Sequence, residues 1–163
     1  MNSTNLSAEA ARETALRILA QNRVMAVATL RPDGWPQATM VGYIHDGLTL
    51  YFTIARGSQK LANIQHDSRI SIAIGRHEAN GPDLRGLSMA AEAVEVTDAD
   101  EVRRLNAMLF ERYPEQQVFA PRGASVAVMK AAPVVLSVID PKRGLDQAAV
   151  LRVDPLTGAL DAT

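Results

Sequence analysis

The apolar positions of this chain change period several times between Ser7 and Val153, and each change marks a new element. Behind Ser7, whose hydroxyl suits a helix cap, Ala11, Ala15, Ile18 and Leu19 recur at helical spacing. They predict an amphipathic helix to about Asn22, laid over one end of a sheet. Val24 to Leu30 is a short run rich in valine and alanine, and Arg31-Pro32-Asp33-Gly34 after it supplies a turn-setting proline and a glycine that accepts positive φ. Gln37 to Ile44 reads as the return strand, His45-Asp46-Gly47 as a second turn and Leu48 to Ile54 as a third strand, so an antiparallel meander is expected.

Helical spacing returns in Gln59 to His66, anchored by Leu61 and Ile64, and gives way to strict alternation in Ile70 to Gly75. Ala79 to Asp83 reads as a loop and Arg85 to Val96 as a long strand whose alanines would admit a neighbouring backbone or partner chain. Asp98 with Glu101 three residues on forms a capping-box pattern for a helix with the stripe Val102, Leu105 and Leu109, ended by Tyr113-Pro114. Strands at Ser125 to Met129, Val134 to Ile139 and Ala148 to Val153 complete the set. Short strands in hairpin order, with helices inserted rather than strictly alternating, predict a mostly β fold: an antiparallel barrel of Greek-key type with peripheral helices. A single domain over residues 7–153 is expected, with 1–6 and 154–163 as flexible tails.

Composition narrows the function classes. The 163 residues are 47% hydrophobic, enough for one core, and 17 basic against 18 acidic side chains leave a net charge of −1, which provides no field for nucleic acid or an anionic membrane. There is no cysteine, so disulfides, thiolate metal sites and cysteine nucleophiles are excluded. The first residues lack the basic start and apolar run of a signal peptide, and no stretch reaches the roughly 20 apolar residues that span a bilayer, so a soluble cytoplasmic protein is expected.

The sharpest chemical signal is Gly57-Ser58-Gln59-Lys60, which follows a strand and opens a helix. A small-residue turn, a hydroxyl, an amine and a helix N-terminus together suit a phosphate, hence a phosphorylated cofactor, and in a barrel a flavin. Read locally, the same residues also describe an ordinary cap followed by a solvated lysine. Trp35 beside Pro36 reads as rim packing and is left out of the site. His45, His66 and His77 lie in or near loops without metal-ligand spacing and are expected to be exposed. Glu92 and Glu95 fall on opposite faces of one strand, poor geometry for shared acid–base chemistry, so hydrolysis is not expected.

Three runs carry a resemblance when taken together: Val27-Ala28-Thr29-Leu30-Arg31-Pro32-Asp33-Gly34-Trp35-Pro36-Gln37, then Asp46-Gly47-Leu48-Thr49-Leu50-Tyr51-Phe52-Thr53, then Gly57-Ser58-Gln59-Lys60-Leu61-Ala62-Asn63-Ile64. The chain resembles the pyridoxamine 5′-phosphate oxidase-like family. The resemblance implies the FMN-binding split β-barrel, a homodimer with FMN at the subunit interface, and a flavin-dependent oxidoreductase acting on a small-molecule substrate. It implies cofactor contacts from Thr39, Met40, Val41 and Gly42 along the ring, from Phe52 and Thr53 at the end of the next strand, and from Ser58, Gln59 and Lys60 at the phosphate. Thr39, Ile44 and Gln59 stand where the oxidase proper has basic residues, and Gln147 to Thr163 lacks its substrate-holding arginine and histidine. This implies that the protein does not make pyridoxal phosphate. Arg56, Arg85 or Arg143 would then supply the missing grip, and Met89, Ala90, Ala91 and Ala93 with Pro141-Lys142-Arg143-Gly144 would wall the dimer side. The same resemblance leaves the deazaflavin F420, haem and a non-catalytic binding role as alternatives.

Overall fold

A computed structural model describes residues 7–76, 85–114, 125–139, 149–155 and 157–162. Helix α1 (Ala8–Gln21) starts where Ser7 accepts the Ala10 amide, and Ala11, Ala15, Ile18 and Leu19 are its buried face. Strands β1 (Val24–Leu30), β2 (Pro36–Gly42), β3 (Ile44–Asp46) and β4 (Thr49–Ala55) follow, then α2 (Gln59–His66), β5 (Arg69–Arg76), β6 (Arg85–Glu95), α3 (Ala99–Arg112), β7 (Val126–Ile139), β8 (Ala149–Val153) and β9 (Leu160–Ala162). The expected alternation of β5 holds: Ile70, Ile72 and Ile74 are buried.

All pairings are antiparallel and run in the order β2-β1-β5-β6-β7-β4-β3, with β8 on β7 and β9 on β8. The two ends of that order are consecutive in the chain: β2 and β3 are separated by Tyr43 alone. One bent segment therefore pairs β1 with its first half and β4 with its second, and the sheet closes on itself. This is the antiparallel barrel expected from the strand pattern, in the split form that the family resemblance implied. Tyr43 sits at the bend, buried, with its hydroxyl donating to Leu19 O at 3.0 Å, which ties the hinge to the last turn of α1.

Inward-facing Met25, Val27, Leu50, Phe52, Ile72, Met89, Met129 and Leu136 fill the main core, joined by Leu61 and Ile64 of α2. A second core forms outside the barrel, where Leu105 and Leu109 of α3 cover Ile44, Tyr51 and Val128.

Three expectations change. The strands placed at Ser125–Met129 and Val134–Ile139 are one, β7, which passes straight through Pro133. Between Ala90 and Ala91 the β6–β7 register shifts by one residue, so Val134 is extra there; Pro133 also lies between the β4-paired stretch ending at Ala131 and the β8-paired stretch starting at Val135. A bulge and a gap in pairing are where a strand accepts a residue with no N–H. The segment after Val153, expected as a tail, turns back as β9, held by Asp154, whose Oδ1 accepts from the Thr157 amide and hydroxyl. On β6, Met89, Ala91 and Ala93 face the core, and only Ala90 of the expected wall points outward. Residues 1–6, the loop at 79–83 and the 141–144 turn lie outside the described residues.

Candidate functional site

The bend at Tyr43 leaves a split. Beyond it, β2 runs along β1 and β4 runs along β7, so the outer edge of β2 and the end of β4 face each other without a shared ladder among the described residues.

The hydrogen bonds identify which backbone groups line that split. At one end of the β1–β2 ladder Arg31 N donates to Trp35 O at 3.0 Å, and at the other Tyr43 N donates to Arg23 O at 3.1 Å. Bonded pairs alternate along an antiparallel ladder. The odd-numbered residues of β2 therefore bond β1, and Ala38, Met40 and Gly42 turn their N–H and C=O toward the split. On β4, Arg56 N donates to Ser125 O at 2.9 Å, continuing the β7 ladder through even-numbered residues. Thr53 and Ala55 thus present their backbone on the other side.

Alpha-helix α2 stands over the mouth of the split. Its N-cap Ser58 accepts the Leu61 amide through Oγ at 3.3 Å, and Ser58 O accepts from Ala62 N at 3.3 Å. The amides of Gln59 and Lys60 have no acceptor within the helix, the usual state of a first turn, and the helix dipole adds partial positive charge there. Lys60 is half-buried and has no anionic partner among the described residues; burial lowers its pKa below that of an ordinary lysine. A half-buried amine, two open amides and a serine hydroxyl make an anion-binding corner.

The expected site residues divide by how the fold uses them. Met40 and Gly42 keep backbone groups on the split, and Met40 is 66% exposed. A Cβ on Gly42 would meet only Arg23 O at 3.7 Å, so the chain's own packing leaves room for a side chain there. Thr39 and Val41 bond β1 through their backbones; Val41 packs on the core, whereas the Thr39 hydroxyl is buried with no hydrogen-bond partner among the described residues. Thr53 opens onto the split. Phe52 does not: its side chain is fully buried in the main core and its backbone belongs to the β7 ladder. Ser58 and Lys60 form the corner just described, while the Gln59 side chain is turned away to donate to Asn63 Oδ1 at 2.8 Å.

Arg56 is held by Glu95 at 2.6 Å. Arg85 pairs with Arg76 at the far end of β5, away from Ile70, which pairs with Thr29 beneath α2, and its Nε is buried without a partner. Arg143 lies outside the described residues. Sequence reading also missed Ala38, whose relevance appears only from the ladder phase, and Asn63, a polar residue on the buried arc of α2. His45 departs from the expected exposure: Nδ1 lies 2.9 Å from Gly47 O, Nε2 is buried without a partner, and desolvation lowers its pKa. His66 is exposed and His77 lies outside the described residues. No group of three metal-ligating side chains occurs among the described residues, and no helix there is long and apolar enough to cross a membrane. A separate cavity of about 310 Å³ lies at the β7 bulge, between Arg12, Glu92, Pro133 and Asp154, and contains none of the expected site residues.

A family model described as pyridoxamine 5′-phosphate oxidase matches residues 11–140, which span β1 to β7 and include the whole split. The chain belongs to the pyridoxamine 5′-phosphate oxidase family. No curated protein sequence matches it. Among solved structures, Campylobacter jejuni ChuZ superposes with a TM-score of 0.76 at 12% identity, covering 95% of this chain and 63% of that one. HutZ, the haem storage protein from Vibrio cholerae, gives 0.62 at 17% identity, covering 80% and 91%. An FAD-binding protein from Mesorhizobium loti gives 0.62 at 17% identity, covering 76% and 90%. At these identities the likeness is one of fold; for this family member, what occupies the split depends on its own residues.

Proposed function

We propose that this chain is an FMN-binding oxidoreductase of the pyridoxamine 5′-phosphate oxidase family that acts on a small molecule other than pyridoxamine phosphate. The observation that carries the reading is Lys60: a half-buried amine at a helix N-terminus with no counter-ion among the described residues. Burial of an unpaired amine is unfavourable in the unliganded chain, and a phosphate dianion offsets it. The orphaned Thr39 hydroxyl gives a second point of fit, since a buried donor without a partner suits a polar ligand atom. When bound, FMN supplies reversible hydride or electron transfer, so the protein needs no acid–base constellation of its own. The chain's part is to hold the phosphate with Lys60, Ser58 and the amides of Gln59 and Lys60. Ala38, Met40, Gly42 and Thr53 offer backbone donors and acceptors to the ring.

A homodimer fits the same reading. On the outer face of the sheet, Met40, Ala26, Ala73 and Ser88 form one cross-strand row and Ala38, Ala28, Ser71 and Ala90 the next. Neither row carries a charge, and both end at the β2 edge of the split, so a second copy there would close the site. The cytoplasm is the proposed location.

Purified protein would be titrated with FMN, F420 and haem and then mixed with reduced nicotinamide nucleotides. Saturable FMN binding followed by bleaching of the flavin absorption supports an oxidoreductase. Bound flavin that no reductant bleaches points to a carrier, and preference for haem or F420 removes the FMN assignment.

A further inference from the structure

Resting on the FMN reading, we infer that Asn63 is a positioning residue that couples the phosphate corner to the ring edge. It is 0% exposed and lies on α2, and its side-chain hydrogen bonds reach the first turn of the helix, the buried Thr29 of β1 and Gln37 of β2. Oδ1 accepts from Gln59 Nε2 at 2.8 Å, in the first turn of α2 beside Ser58 and Lys60. Nδ2 donates to Thr29 Oγ1 at 2.9 Å, on β1, and to Gln37 Oε1 at 3.2 Å, on β2. Its backbone oxygen accepts from Asp67 N at 2.8 Å and closes the helix.

Gln37 is the residue before Ala38, where the outward-facing backbone of β2 begins. Leu61 and Ile64 hold α2 against the core, but apolar contacts alone allow a short helix to slide or turn. A buried amide does not, because shifting α2 would strand a donor or an acceptor away from water. One side chain thus fixes the helix N-terminus relative to the edge strand, the two places a phosphorylated ring compound must touch at once. Simultaneous contact at both ends is useful only when the spacing is set in advance.

The test compares FMN with riboflavin, which has the same ring and no phosphate, in wild type, Asn63→Leu, Lys60→Ala and the double variant. Leucine keeps the volume and removes the hydrogen bonds. The expected result is a folded Asn63→Leu protein whose preference for FMN over riboflavin falls about tenfold, the scale on which losing an outer orienting partner acts. In that background Lys60→Ala should cost much less than it does in wild type, because the amine no longer has its target in place. A merely structural Asn63 would lower Tm and weaken both ligands alike, leaving the ratio and the Lys60 effect unchanged; that outcome overturns the inference while the FMN reading stands. Wild type without a preference for FMN overturns both. If Asn63→Leu does not fold, Gln37→Met removes only the β2 arm: a reduced ratio supports the coupling and an unchanged one overturns it.

Discussion

The barrel has two kinds of wall. Where β1, β5, β6 and β7 run side by side, pairing follows pairing and the inward faces are large apolar side chains. Where β2 and β4 part beyond Tyr43, the described residues leave backbone groups unpaired, a buried threonine hydroxyl without a partner, and a half-buried lysine with no counter-ion. The first wall pairs its backbone strand by strand; the second leaves backbone groups open. A fold of this size tolerates such a gap because the rest of the sheet closes around it and Tyr43 anchors the bend.

Large-to-small substitution in the closed wall should break the fold and nothing specific to the site. Leu136→Ala is expected to cost about 2–5 kcal/mol, read as a fall in the urea midpoint, with ligand affinity unchanged for the protein that remains folded. Proline substitutions at neighbouring positions sharpen the contrast. Val41→Pro removes a β1–β2 ladder bond and should destabilise by about 3 kcal/mol. Met40→Pro removes an N–H that faces the split, so it should leave most of the fold intact and weaken FMN and riboflavin together. Equal loss of stability from the two prolines would show that the assigned ladder phase is wrong.

Ala28→Glu, which plants a charge in the middle of the outer face, should turn a dimer into a monomer by size-exclusion chromatography with light scattering. A dimer that survives would place the interface elsewhere. Smaller still is the pH effect at Lys60. Desolvation favours its neutral form, so FMN affinity should begin to fall, as pH rises, at a lower pH than an ordinary lysine would dictate, while riboflavin affinity stays flat. The smallest effect lies in the ion pair between the end of α2 and the start of β5. Arg69 hydrogen bonds hold the Asp67 carboxyl down at about 2, so the small stability it lends is present above the usual carboxylate range and is lost as pH falls toward 2. Arg69→Ala should return that carboxyl toward the ordinary aspartate value of 3.8 in an NMR titration.

Much of the closed wall was legible in the sequence because its cause is local. Alternation in Ile70 to Gly75, the Asp98 cap and the stripe of α1 each depend on residues a few positions apart, and each appears in the structure as expected. The split was legible only in outline. Whether Met40 or Val41 turns its backbone outward depends on ladder phase with a strand across the sheet. Phe52 reads as a site residue until β4 is known to bond β7 through it. Pro133 looked like a strand end because the bulge that accommodates it exists only in the pairing with β6. Asn63 looked like an ordinary helix residue because Thr29 and Gln37, which give it meaning, are 34 and 26 positions away.

The most direct test of the central claim is the dissociation constant for FMN in wild type and Lys60→Ala, each set beside riboflavin. If Lys60 and the first turn of α2 hold the phosphate, the variant should lose roughly tenfold to a hundredfold in FMN affinity, the worth of a charge-assisted contact, and should bind riboflavin as wild type does. FMN binding that is indifferent to Lys60, or a riboflavin affinity that falls in parallel, would contradict the account.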